Sequence, residues 1–78
     1  MTSQWDTQLY DAGNRLDAVD TFIHNHRTVK MVFVNGDEPT HIEIREAFGG
    51  MVDDISTYEF VGVDDDDNEL IGVTITIA

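Results

Sequence analysis

The stretch from Leu70 to Ile77 alternates without a fault. Ile71, Val73, Ile75 and Ile77 fall on one face, and Leu70, Gly72, Thr74 and Thr76 on the other. Period-two alternation of β-branched residues commits a segment to a β-strand with one buried face. A second strand reads just upstream, at Tyr58-Glu59-Phe60-Val61-Gly62-Val63. Between them stands Asp64-Asp65-Asp66-Asp67-Asn68-Glu69, far too polar to bury. The last third of the chain is therefore a hairpin closed by acid. The rest of the chain must supply further strands beside it and a cover for its apolar face.

Upstream, two kinds of pattern compete. Trp5, Leu9 and Tyr10 make one apolar side of a short helix, which Gly13 interrupts. Asn14 suits a helix cap and Asp17 a first turn. Leu16, Val19, Phe22 and Ile23 then follow at helical spacing, so a helix is expected from Asn14 to His26. Val29 to Val34 reads as a strand, apolar on both faces and hence central in a sheet. Asn35-Gly36-Asp37-Glu38-Pro39 is a turn. His41 to Arg45 alternates again, with Ile42 and Ile44 expected inward. Gly49-Gly50 breaks the chain, and Met51, Val52 and Ile55 then fit a helical turn or a loop. Short connections favour antiparallel pairing. The expectation is one α+β domain over residues 1–78: a small antiparallel sheet of about four strands, with one or two N-terminal helices on one face.

Charge is the outlier of the composition. Sixteen acids face four bases in 78 residues, a formal charge of −12, and Lys30 is the sole lysine. Nucleic acids and anionic membranes both need cationic surface, so neither is an expected ligand. There is no cysteine, no basic and apolar leader at the start, and no apolar run near the roughly 20 residues of a membrane span. The expected place is the cytoplasm. Asp64, Asp66 and Asn68 resemble the opening of a calcium-binding loop, but the glycine and glutamate that such a loop needs further on are Glu69 and Ile75 here. His24, His26 and His41 are too few and too scattered for zinc. Ser3 and Ser56 sit in no nucleophile motif, and Gly49-Gly50 lacks the lysine of a phosphate loop. No catalytic residue, metal site or cofactor is expected, and the chain is not read as an enzyme.

What remains is acid on a small frame. In size, charge and want of a catalytic motif, the chain resembles the small acidic proteins that phages encode against CRISPR and restriction systems. The resemblance rests on length and composition and carries over no residue. It implies a protein that inhibits a basic nucleic-acid-binding partner by occupying its binding surface, as a DNA mimic does, within the host cytoplasm. The candidate partner-binding residues are the acids of the hairpin, Asp64, Asp65, Asp66 and Asp67. To these are added Asp17 and Asp20, expected on the outer face of the helix, and Asp53 and Asp54 as an extension. Two other readings stand beside it. A potassium-rich cytoplasm favours acidic, lysine-poor surfaces whatever the function. An acidic antitoxin that masks a basic toxin would look the same.

Overall fold

The long C-terminal strand is the axis of the structure. The computed structural model describes residues 4–25 and 27–78, and side-chain surroundings from residue 7 onward. The elements run α1 (Gln4–Arg15), β1 (Asp20–Ile23), β2 (Thr28–Val34), α2 (His41–Ala47), β3 (Val52–Ile55), β4 (Glu59–Val63) and β5 (Glu69–Ile77). The fold is α+β, with a five-stranded antiparallel sheet. Strand β5 pairs along its whole length with β2 on one side, from Leu70 opposite Val34 to Thr76 opposite Thr28. Its other side is shared: β4 pairs with the first half and β3 with the second. Strand β1 completes the sheet outside β2.

The pleat decides which residues form the core. Val29, Met31 and Phe33 stand opposite Ile75, Val73 and Ile71, so they share one face. Val29, Met31, Phe33, Val73, Ile75 and Ile77 are buried there, and Ile71 is half-buried near the hairpin end. Leu9 and Ala12 of α1, and Ile44 and Phe48 at and just beyond α2, cover them. Each such Val, Leu, Ile, Met or Phe side chain taken fully out of water contributes about 1.5–3 kcal/mol. Among the described residues, no comparable layer covers the opposite face of the sheet.

Three upstream expectations are corrected. The helix expected at Asn14–His26 is absent: α1 ends at Arg15, Asp17 takes a left-handed backbone with φ 59°, and β1 begins at Asp20. The spacing of Leu16, Val19, Phe22 and Ile23 fits a helix, but pairing with β2 wins. Thr21 and Ile23 turn to the core side, opposite Met31 and Val29. The expected helix end, His26, lies outside the described residues. Gly13, read as an interruption, sits inside α1; a Cβ there would lie 2.4 Å from the Thr21 hydroxyl oxygen. It is where helix and strand touch.

The strand expected at His41–Arg45 is helix α2. Thr40 caps it: the Glu43 amide donates to Thr40 Oγ1, and the Thr40 amide donates to Glu43 Oε1, both at 3.2 Å. This reciprocal box satisfies two donors that a helix start otherwise orphans. Ile44 and Phe48 then bury one turn apart, while Ile42, expected inward, is 70% exposed. The helical turn considered for Met51 to Ile55 is strand β3, with Val52 and Ile55 inward and Asp53 and Asp54 in solvent.

Candidate functional site

The antiparallel order fixes which loops meet. Strands β1 and β5 begin, and β2 and β4 finish, at the same end of the sheet. Three connections leave from that end: residues 16–19, 35–40 and 64–68. The turn after β2 and the β4–β5 hairpin are joined directly. The Asn35 amide donates to the Glu69 carbonyl at 2.8 Å, and Asn35 Nδ2 donates to Glu69 Oε2 at 3.0 Å. Eight carboxylates among the described residues lie on these connections or at the start of β5: Asp37, Glu38, Asp64, Asp65, Asp66, Asp67 and Glu69 around the joined turns, and Asp17 on the outer connection before β1.

The four hairpin aspartates are not equivalent. Asp64 Oδ1 accepts the amides of Asp66 and Asn68, both at 2.9 Å, and its Oδ2 accepts Asn68 Nδ2 at 3.2 Å. These bonds favour the ionised form, and donation from Asn68 is the largest cause holding the Asp64 carboxyl below its ordinary value of 3.8. Asp64 organises the turn. Asp65, Asp66 and Asp67 are exposed and form its outer charge. Asp67 has a left-handed backbone, φ 64°, which Asp and Asn tolerate far better than β-branched residues do.

The same end is braced from the helix side. The Tyr58 hydroxyl donates to the Pro39 carbonyl, and the ring meets His41 edge-on at a centroid distance of 5.5 Å. Burial raises the Tyr58 phenol above its ordinary range, and the charges of Glu38 and Glu43 raise it further. The β2–α2 connection is thus held against the link between β3 and β4, which fixes Glu38 relative to the sheet.

The remaining sequence candidates lie elsewhere. Asp20 is the first residue of β1, level with Val32 and Gly72 at the far side of the sheet. Asp17 and Asp20 share no helix face. Asp54 pairs with Thr76, near the other end of β5. Seven residues separate Thr76 from Glu69, about 23 Å at strand rise, so Asp53 and Asp54 do not extend the acidic end. Conversely, Asp37, Glu38 and Glu69 belong to it and the sequence reading missed them. The signal that would have found them is the β2–β5 pairing, which puts the Asn35 turn beside the hairpin. Of the arginines, Arg27 and Arg45 hold the opposite end, donating to the carbonyls of Ile77 and Val52. Asp53 and Asp54 share that end with them. Among the described residues, no three His, Asp or Glu side chains converge as a metal would need, and no helix is long and apolar enough to cross a membrane.

No protein-family model matches the chain, nor does any curated protein or solved structure.

Proposed function

We propose that this protein works by binding, as an inhibitor that occupies the basic nucleic-acid-binding surface of a CRISPR or restriction effector in the host cytoplasm. One observation carries the reading: eight carboxylates lie on the connections and the strand start at one end of the sheet rather than on a tail. Neighbouring strands lie about 4.7–4.9 Å apart, so charges on the β2, β5 and β4 ends stand at spacings comparable with phosphates, one per 3.4 Å along each DNA strand. A groove lined with Lys and Arg would accept such an end in place of its ligand. Electrostatic complementarity of this kind raises association rate and selects the partner. The role needs no catalytic group and no cofactor. An acidic antitoxin would use the same physics against another basic partner.

The test is displacement of labelled duplex DNA from a panel of purified CRISPR and restriction effector complexes. The comparison is with a variant carrying D37N, E38Q, D65N, D66N and D67N, its fold checked by circular dichroism. Asp64 is kept because it holds the turn. Displacement by the parent protein, lost in the variant and weakening steeply with salt, is expected. No displacement, or equal displacement by both, would remove the proposal.

A second reading has its own support. Acids also occupy other elements, at Asp11, Asp20, Glu43, Glu46, Asp53, Asp54 and Glu59, as adaptation to concentrated potassium chloride would place them. Under that reading the fold unfolds when potassium chloride falls well below about molar levels, where screening of exposed charge weakens. An inhibitor from an ordinary bacterium stays folded.

A further inference from the structure

The face of the sheet away from the helices carries a shallow groove of about 490 Å3, lined by Val19, Phe22, Val32, Val61, Leu70 and Lys30, with Asp20 and His24 at its margin. Gly72 is its floor. A Cβ there would fall 2.8 Å from Val61 Cγ1 and 3.1 Å from Lys30 Cε, so both side chains lie across the bare backbone. Val19, Phe22 and Val61 remain 52%, 48% and 40% exposed. These half-exposed apolar side chains are available for contact with a partner.

The charges around the groove identify what covers it. Its lining combines acid and base on a very acidic surface. Asp20 is the one acid among the residues lining it, and it also holds the sole lysine. Glu59 stands at the other end of the same row, opposite Gly72. A basic partner would meet Lys30 at the centre. A small ligand would stay largely in water, because deep pockets bury 70–90% or more of their ligands and this groove is open. A second copy of the chain brings Asp20 and Glu59 to face Lys30. A specific interface takes about 800 Å2 from each partner, so the contact must extend from the groove over the rest of a face whose broad dimensions are bounded by 34 by 29 Å. Two such faces pack about 10 Å apart as in a sandwich.

We propose that the open face of the sheet is the interface of a two-fold homodimer, with Phe22 and Val61 as apolar anchors and Lys30 paired to Asp20 or Glu59 of the second copy. The interface adjoins the acidic end at Val19 and Leu70, but the hairpin residues Asp64 to Asp67 do not line it, so the dimer does not depend on the inhibitor reading.

The test is mass in solution by light scattering and sedimentation, up to about 1 mM chain, where even weak specific association registers. The purified protein is expected at twice its 8.8 kDa chain mass. Association should tighten as salt rises from about 0.01 to 0.15 M, because the Debye length falls from roughly 30 to 8 Å and the like net charges are screened. The variant F22S/V61S, whose sites are exposed enough to keep the fold, should raise the dissociation constant about tenfold or more. I42S, on the helix side, should leave it unchanged. A protein that stays monomeric at every concentration and salt would overturn the proposal. So would a folded F22S/V61S that dimerises like the parent, or an I42S that does not dimerise. If the parent is monomeric and F22S/V61S loses effector binding, the face belongs to the effector, and the homodimer is refuted while the inhibitor reading survives.

Discussion

Replacing Gly13 with Ala pits helix propensity against packing, and the structure says packing wins. In an exposed helix interior, Gly→Ala stabilises by about 0.8–1.0 kcal/mol. Here the new Cβ would stand 2.4 Å from Thr21 Oγ1, 3.5 Å from Thr21 Cβ and 3.6 Å from Met31 Cε. The hydroxyl must rotate away or α1 must lift from β1. Thr21 is β-branched and packed on a strand, so its rotamer does not yield freely. Overpacking of this kind costs about 1–3 kcal/mol. The balance is a net destabilisation of up to about 2 kcal/mol, and each kcal/mol moves the melting temperature of a domain this size by about 4–8 °C. The control is Thr21→Ala, which removes the obstructing oxygen. In that background Gly13→Ala should become neutral or stabilising. Denaturant melts of the four proteins form a double-mutant cycle and read the coupling directly. If Gly13→Ala stabilises the parent protein by about 1 kcal/mol, as it would in solvent, α1 does not rest on β1 as described.

Three further outcomes follow from the same geometry. Ile75→Ala, at a fully buried position between Val29 and Ile55, should cost about 2–5 kcal/mol in a urea melt, while Thr74→Ala on the open face should cost far less; equal costs would put the wrong face inward. The melting temperature should rise with salt most steeply below about 0.15 M, because screening relieves the self-repulsion of the −12 chain; a flat or falling trend would show the acids already neutralised. Asp64 should titrate below its ordinary value of 3.8 in carboxyl-resolved NMR: its folded value is depressed, so its contribution is complete above the unfolded value and is lost as pH falls through the folded one. Asp64→Ala should abolish that acid dependence, and an unshifted Asp64 would mean that the Asn68 and Asp66 donors do not hold it.

The parts of the fold visible in the sequence are those where one period stands alone. Strand β5 alternates over eight residues from Leu70 to Ile77, and only a strand satisfies that. Strand β2 is short, β-rich and bounded by turn residues. Where two periods fit the same few residues, sequence spacing misled. Ile42 and Ile44 alternate like a strand, but the capping signal Thr40–Glu43 and the burial of Phe48 four residues beyond Ile44 decide for a helix. Leu16, Val19, Phe22 and Ile23 match a helix, but Asp17 turns left-handed and Thr21 and Ile23 must line the core beside Met31 and Val29. Local pattern cannot weigh a partner strand that arrives from elsewhere in the chain. The acidic hairpin was legible for the same reason that its neighbours were not. Asp64 to Asp67 are consecutive, whereas Asp37 and Glu38 join them only through the β2–β5 pairing.

That pairing also separates the two surfaces on which the functional argument depends. The acidic end lies along the strand axis, beyond Val34, Val63 and Glu69. The open groove lies across the strands, over Gly72 and Lys30. The groove reaches that end at Val19 and Leu70, but Asp64 to Asp67 do not line it, so covering the face leaves the hairpin tip in solvent. Salt acts on the two with opposite sign. Capture of a basic groove by the acidic end releases counterions and must weaken as salt rises. Contact between two open faces works against the repulsion of two like-charged bodies and must strengthen over the same range. Dimerisation would double the number of acidic ends on one particle, and an effector with two basic grooves in reach would then be held with higher avidity than one end provides. A variant such as F22S/V61S, monomeric but with its acids intact, should therefore keep inhibition of single-groove targets and lose potency against those with two. Equal loss on both would place the groove in direct contact with the effector. Equal retention would leave the dimer no part in inhibition.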